Sequence, residues 1–335
     1  MARQLLVVGG GFVGSAVARA ASSRPEFGRV TVVVRSSPDV AAADETVRGD
    51  ARAVDLGLGP ATVSMLRAET TDLVVAVGST DIAMSPATAQ AEHVAPVVGA
   101  LAFARSCPAL QEIVIVSSAM VADTDGAACR SDWIPPRGWH RNFYEWSKIE
   151  VERLARSSGL PVTIVRPGQV LGSLDGAWPT PQPFGLFEAL PGLAAGWPLP
   201  YNPRARNWSV AVDVLAGVLV AACLAPPRTR ATWCVHPESL TFGGVLDLLA
   251  VRHGLAPKRI ASRRLASAGA SVLRPRWLGV DAPRELLDYL HLELDLDLSC
   301  QRELTRAAGI EFGDARRSMV ETMDHELARW RRGAW

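Results

Sequence analysis

The feature that most constrains this chain stands near its start. The apolar run at residues 5–8 leads directly into Gly9-Gly10-Gly11-Phe12-Val13-Gly14, and an alanine-rich stretch follows to position 21. A β-strand that turns through GxGxxG into a helix has few ways to pack. Gly9 permits the tight turn, Gly11 lets a ligand approach the backbone, and Gly14 lets helix and strand close on each other. The helix N-terminus, with Phe12 and Val13 in its first turn, then offers unpaired amides to an anion such as a pyrophosphate. Gly9, Gly11, Phe12, Val13 and Gly14 are therefore the expected contacts of a dinucleotide.

The rest of the first half repeats the strand–helix alternation. Apolar runs at 30–34, 73–77, 113–116 and 162–165 are separated by helix-like segments, among them 86–105 and 144–157. Within 86–105, Val94, Val97, Val98 and Leu101 fall at helical spacing. Strands apolar on both faces, alternating with helices, indicate a parallel sheet covered on both sides. From 173 to 207 the chain is rich in Pro, Gly and Trp with little periodicity, and it reads as an ordered loop region over a site. A helix is predicted near 211–224 and a strand near 231–235. Two more helices are predicted, over 240–253 with Ser239 as N-cap and over 315–330 with Met319, Val320, Met323, Leu327 and Trp330 on one face. The expected architecture is α/β: a Rossmann, doubly wound parallel sheet with helices on both faces over residues 1–172, to which 209–236 return. A smaller, mainly helical substrate-binding subdomain is expected from 173–208 and 237–335.

Charge and composition narrow the function. With 35 basic and 34 acidic residues, there is no electrostatic reason to expect nucleic acid or an anionic membrane as partner. Five cysteines without a CxxC pair argue against a disulfide framework or zinc site, and a reducing cytoplasm is expected. No apolar run has the length of a membrane span or a signal-peptide core. The histidines lack metal-ligand spacing, so no metal is expected. His93 reads as solvated or capped in its helix, and His140 as a loop residue.

Tyr144-Glu145-Trp146-Ser147-Lys148 is a YxxxK motif, whose spacing puts Tyr and Lys on one helix face. A free tyrosine, with a pKa near 10, is a poor proton donor and acceptor at neutral pH. A nearby ammonium and an oxidised nicotinamide both favour the phenolate and bring it into the working range. Ser118, after the strand at 113–116, is suited to polarise a substrate carbonyl. The second strand ends at Arg35, followed by Ser36, where NAD-preferring folds carry an acid for the ribose 2′-hydroxyl. A guanidinium suits a 2′-phosphate, which favours NADP(H) over NAD(H). Asp50 falls at the end of the third strand, in reach of the adenine amino group.

In this order of motifs the chain resembles the extended branch of the short-chain dehydrogenase/reductase superfamily, which includes epimerase/dehydratase-like and dihydroflavonol-reductase-like groups. VIVSSAMVAD resembles the strand that ends in the catalytic Ser or Thr. YEWSKIEVERLARSSGLPVTIVRPGQVLG matches the active-site helix and the strand after it. Arg206-Asn207-Trp208-Ser209-Val210-Ala211-Val212-Asp213-Val214 resembles the later segment that carries substrate-binding residues. The resemblance covers about residues 3–225. It implies that Ser118, Tyr144 and Lys148 are catalytic, that Lys148 also holds the nicotinamide ribose, and that Pro167 and Val170 line the nicotinamide. Ala119, Arg206, Trp208 and Trp178 fall on the substrate side. The chain departs from the pattern in having Val8 where the extended branch has its first glycine, Ala122-Asp123 in place of Tyr-Gly, and no Asn at the usual fourth catalytic position; Asn142 is close in sequence but misplaced.

The activity implied first is NADPH-dependent reduction of a ketone or aldehyde, with Tyr144 as acid/base. Trp133, Trp139, Trp146, Trp178, Trp197 and Trp208 suggest an apolar or aromatic small-molecule substrate. A sugar-nucleotide epimerase or dehydratase is the first alternative: Arg206 stands where such enzymes bind a diphosphate, although Ala119-Met120 replace the acidic residues of the dehydratases. The second is an acyl thioester reductase, which LPGLAAGWPLP and AVDVLAGVLVAAC faintly resemble. The third is a non-catalytic NADP-binding regulator, a class that typically loses the Tyr or Lys present here. A homodimer through two helices per subunit is the family-level expectation.

Overall fold

Leu5 and Val7 point to one side of the first strand and Leu6 and Val8 to the other, and all four are buried. Such a strand is stable only with both faces covered, and the computed structural model shows that arrangement. It describes residues 2–36, 38–122, 130–134, 136, 138–182, 185–194, 199–226, 230–255, 259–260 and 286–333. Trp197 lies outside the described residues.

The strands are β1 (Arg3–Val8), β2 (Phe27–Val34), β3 (Glu45–Arg48), β4 (Asp72–Val75), β5 (Glu112–Val116), β6 (Val162–Pro167), β7 (Gln169–Leu171), β8 (Leu199–Pro200), β9 (Ser209–Ala211), β10 (Arg230–Cys234) and β11 (Arg259–Ile260). Seven form one sheet in the order β10-β6-β5-β4-β1-β2-β3, and every pairing in it is parallel. The strand order reverses between β1 and β4, which opens a crevice at the carboxyl ends of these two strands. β7 pairs with β9 and β8 with β11 outside this sheet.

Helices α1 (Phe12–Ser22), α2 (Pro60–Glu69), α3 (Pro86–Ala89), α4 (Ala95–Ala104), α5 (Phe143–Ser157), α6 (Leu190–Ala194) and α7 (Val212–Leu224) follow in chain order. One sheet face, with Leu5, Val7, Val74 and Val114, packs on α1 and α7. The other, with Leu6, Val8, Leu73 and Ile113, packs on α2, α4 and α5. A third core joins Leu186 and Phe187 to α8 (Phe242–His253), α9 (Leu286–Tyr289) and Met319, Met323 and Leu327. The last two helices are α10 (Ser299–Ala308) and α11 (Ala315–Arg331). Gln301 of α10 donates from its amide to the Val235 carbonyl (2.8 Å) and accepts from the Val235 amide (2.9 Å), covering the chain just beyond the β10 edge. Among the described residues, no helix is long and apolar enough to cross a membrane.

Two local expectations are corrected. Thr241, not Ser239, caps α8 by accepting from the Gly244 amide, while Ser239 Oγ donates to the His236 carbonyl. The predicted helix at 86–105 contains a π turn at Gln90–Val94 between α3 and α4. Val94, Val97 and Leu101 are buried, but Val98 is exposed, because it lies outside the stripe that faces the sheet.

The deepest charged pair links α5 to β6. Arg166 donates from Nε to Glu152 Oε1 (2.9 Å) and from a terminal nitrogen to Oε2 (2.7 Å), with both side chains fully buried. Ser117 donates to the same carboxylate at 2.7 Å. The guanidinium also lies over Trp233, 4.6 Å from the ring centroid, and donates to the Trp133 carbonyl. Removing one partner strands the other charge in the core. Glu152→Ala should therefore lower the unfolding free energy by about 3–5 kcal/mol in urea titrations. A Glu152→Met, Arg166→Leu double variant should be more stable than Glu152→Ala. A single variant within about 1 kcal/mol of wild type would contradict this reading.

Candidate active site

The glycine turn leaves β1 with Gly9 at φ +106°, and three positions in it have no room for a side chain. A Cβ on Gly9 would stand 2.5 Å from the Ala76 carbonyl oxygen, one on Gly10 2.4 Å from Val34 Cγ1, and one on Gly14 1.8 Å from the Gly9 carbonyl oxygen. At Gly11 the Cβ direction is open, and α1 begins at the next residue. This cradle, with backbone packed on three sides and space at the helix start, fits a dinucleotide pyrophosphate. Gly11, Phe12 and Val13 line the adjoining cleft. Gly9 and Gly14 act behind them by shaping the turn.

At the far end of β2, Arg35 is about half exposed, and its guanidinium lies 3.5 Å from Glu92. Ser36 beside it is exposed. Asp50 has its carboxylate spanned by Arg52, with contacts from 2.6 to 3.1 Å. The guanidinium holds that carboxyl down at about 2. Asp50 is thus at the expected strand end but already committed to Arg52, and an adenine amino group would have to share it.

The cleft continues from the cradle across the carboxyl ends of the central strands, with a volume of ≈ 310 Å³. Ser118, Tyr144, Lys148, Pro167 and Val170 all line it. Strand β5 ends two residues before Ser118, whose Oγ accepts from the Met120 amide (3.2 Å) as cap of a short 3₁₀ turn at Ala119–Val121. The Ser118 hydroxyl favours the phenolate of Tyr144, but burial is the larger effect and raises the Tyr144 pKa. Lys148, one turn further along α5, is buried, with Nζ 5.6 Å from the Tyr144 ring centroid. Burial brings its pKa down to about 8, against the opposing pull of Glu152.

On the substrate side, Ala119, Arg206 and Trp208 line the cleft. Arg206 lies over the Trp208 ring and donates to the Ser239 carbonyl (3.1 Å). Trp178 does not join them: it packs edge-on against Phe12, with Arg19 over its face. Its role is to brace the loop after β7 against α1. Trp133, Trp139 and Trp146 also lie away from the cleft. Trp133 and Trp139 pack on each other and Trp146 joins the core under α5. The apolar wall is aliphatic instead, built from Ile82, Leu186, Leu286, Leu290 and Leu294 with Phe242.

Several residues at the site escaped the sequence reading. Asn142 caps α5 by accepting from the Glu145 amide (3.0 Å). Glu145, fully buried, accepts from Arg141 Nε at 2.7 Å and from the Tyr289 hydroxyl at 2.6 Å. Tyr289 lies on α9 and lines the cleft, so this network ties the C-terminal region to the first turn of α5. His93 is neither solvated nor a helix cap. It is 1% exposed and lies edge-on to Tyr144, because the π turn aims it toward α5.

Lys148 carries its charge below about pH 8 and loses it above. Turnover that uses the ammonium should fall as pH rises through about 8 in a pH–kcat profile. In Glu152→Gln, which lacks the carboxylate that favours the ammonium, the fall should move to lower pH. A profile flat to pH 10 in both proteins would contradict the assignment.

No curated protein sequence is significantly similar to this chain. The NAD-binding family described as "Male sterility protein" matches residues 39–216. Among solved structures, the terminal R domain from the myxalamid PKS-NRPS biosynthetic pathway superposes with a TM-score of 0.80 at 20% identity, covering 100% of this chain and 92% of its own. A reductase domain of a non-ribosomal peptide synthetase from Mycobacterium tuberculosis gives 0.70 at 17% identity, covering 97% and 91%. A UDP-galactose 4-epimerase gives 0.63 at 16%, covering 98% and 99%. These likenesses are of fold. With a nucleotide cradle, a Ser–Tyr–Lys group and a family match over more than half its length, the chain belongs to that NAD-binding family, within the extended short-chain dehydrogenase/reductase superfamily of NAD(P)-dependent oxidoreductases.

Proposed function

We propose that this protein is an NADPH-dependent reductase of a carbonyl group carried on an apolar substrate. The observation that carries the proposal is the lining of the cleft. Ser118, Tyr144 and Lys148 share it with aliphatic side chains such as Leu186, Leu290 and Leu294. A carbonyl seated in it has a proton donor next to its oxygen and hydrocarbon around its tail.

The cofactor would be held by the Gly11 turn, Phe12 and Val13 at the pyrophosphate, Lys148 at the ribose, and Pro167 and Val170 at the nicotinamide. When bound in its reduced form, it supplies the hydride that adds to the carbonyl carbon. Tyr144 gives its phenolic proton to the carbonyl oxygen, completing the alcohol. Ser118 hydrogen-bonds that oxygen, and the Lys148 ammonium stabilises the phenolate left behind. Arg35 supports NADPH over NADH: it stands exposed at the end of β2 with a long contact to Glu92, and a guanidinium there suits a 2′-phosphate.

A second reading has a specific observation behind it. The similarity to reductase domains of peptide synthetases spans this whole chain, including the C-terminal region that helps to build the apolar wall. It favours an acyl thioester as the carbonyl compound. Hydride addition would then expel the thiol, with a proton to its sulfur, and leave an aldehyde.

The test uses the purified protein with NADPH or NADH and three probes: a medium-chain aldehyde, the matching acyl-pantetheine thioester and a UDP-hexose. The expected result is NADPH oxidation with the aldehyde, the thioester or both. Tyr144→Phe should lower kcat by roughly 10²–10⁴-fold while NADPH binding is retained. Arg35→Ala should raise the KM for NADPH about tenfold, equivalent to about 1.4 kcal/mol, and leave that for NADH nearly unchanged. Epimerisation of the UDP-hexose without net cofactor oxidation would overturn the proposal, as would undiminished turnover by Tyr144→Phe.

A further inference from the structure

We propose that His93 is a positioning residue of this active site, bracing the first turn of α5 against the cleft wall and so fixing the Tyr144 phenol. This rests on the reading of Tyr144 as the proton donor. The side chain is 1% exposed and makes contacts in three directions. Nε2 lies 2.9 Å from the Ser79 carbonyl oxygen, and Ser79 lines the cleft. Nδ1 lies 2.5 Å from Ser147 Oγ, in the turn between Tyr144 and Lys148. The imidazole edge meets the Tyr144 ring at 5.5 Å between centroids and an interplanar angle of 80°. One buried ring therefore joins the loop after β4 to the catalytic helix and touches the catalytic ring itself.

The backbone is shaped for this contact on both sides. A π turn occupies Gln90–Val94, with His93 inside it, and such turns recur at functional positions because they re-aim a side chain. Across from it, Gly78 has φ +127°, and a Cβ there would fall 2.4 Å from His93 Cδ2. Only a glycine lets the loop close on the ring.

The hydrogen bonds also specify the ring's state. A carbonyl oxygen can only accept, so the proton sits on Nε2, which donates to Ser79. In the neutral ring Nδ1 then accepts from the Ser147 hydroxyl. The Ser147 hydroxyl proton has a second acceptor in the Tyr144 carbonyl oxygen, 2.6 Å away, and is shared between the two. Burial, and then the nearby Lys148 ammonium, bring the His93 pKa down to about 3, so the ring stays neutral through the working pH range. His93 thus holds Tyr144 without adding a second cation beside Lys148.

The experiment has two readouts, one of which needs no substrate. The Tyr144 phenol is titrated by ultraviolet difference spectroscopy with NADP⁺ bound, using Tyr144→Phe as the blank, in wild type, His93→Ala, His93→Gln and Ser147→Ala. Kinetics with the NADPH-dependent probes are measured on the same proteins. In His93→Ala, water enters the vacated space and relieves part of the burial that opposes the phenolate, so the phenol should titrate at lower pH than in wild type. The kcat should fall roughly 10- to 100-fold with the KM for NADPH within about threefold, the pattern of a misoriented catalytic group. Ser147→Ala should show a smaller loss. His93→Gln, whose amide reaches the Nε2 position, should recover part of the kcat. Wild-type phenol titration and wild-type kcat in folded variants would overturn the role. If no probe is turned over even by wild type, the functional reading fails while the titration still decides the role of His93. If His93→Ala does not fold, His93→Gln and Ser147→Ala carry the same comparison.

Discussion

The candidate active site is built on a buried ion pair. Glu152 and Arg166 are both fully buried and joined by two hydrogen bonds, so each is tolerable in the core only because the other is there. Their positions make the pair more than a staple. Glu152 lies one helical turn beyond Lys148 on α5, Arg166 lies on β6 immediately before Pro167, and Ser117, bonded to the same carboxylate, immediately precedes Ser118. One interaction thus fixes the elements that present Ser118, Tyr144 and Lys148, the three groups proposed to be catalytic. The same carboxylate favours the charged form of Lys148, opposing the burial that pulls its pKa down. A weaker pair would loosen the geometry and remove charge from the lysine at the same time.

A second network works at the opposite end of α5. Arg141, Asn142 and Glu145 surround the helix N-terminus, and Tyr289 enters from the C-terminal region with its hydroxyl between Asn142 and Glu145. Arg141 also donates to the Met120 and Ala122 carbonyls, fastening the segment after Ser118. The apolar lining and α5 are therefore joined by hydrogen bonds made a few residues from Tyr144. In the proposed function, substrate selection and proton transfer share that frame.

Much of this was legible in the sequence wherever the signal is local. The Gly9–Gly14 turn combines a strand end, a positive φ and a helix start within six residues, and the spacing of Tyr144 and Lys148 is a property of one helix. The alternation of two-sided apolar strands with helices pointed to the parallel sheet for the same reason. What was hidden depends on tertiary partners. Nothing near Glu152 announces Arg166, nor anything near Glu145 announces Tyr289. His93 was misread because regular helical spacing hides a π turn, which changes the direction in which a side chain points. The tryptophans misled for another reason: a count of large rings carries no information on which way they face. Of those proposed to wall the substrate, Trp208 reaches the cleft, whereas Trp178 braces a loop on Phe12.

In the proposed function, a hydride and a proton meet a carbonyl in the cleft beside Tyr144. NADPH deuterated at the transferable position, used with the aldehyde and thioester probes and mass spectrometry of the products, tests this. One deuterium is expected on the former carbonyl carbon, matched by loss of the label from the cofactor. Products without deuterium, or deuterium that stays on the cofactor while a substrate is isomerised, would contradict it.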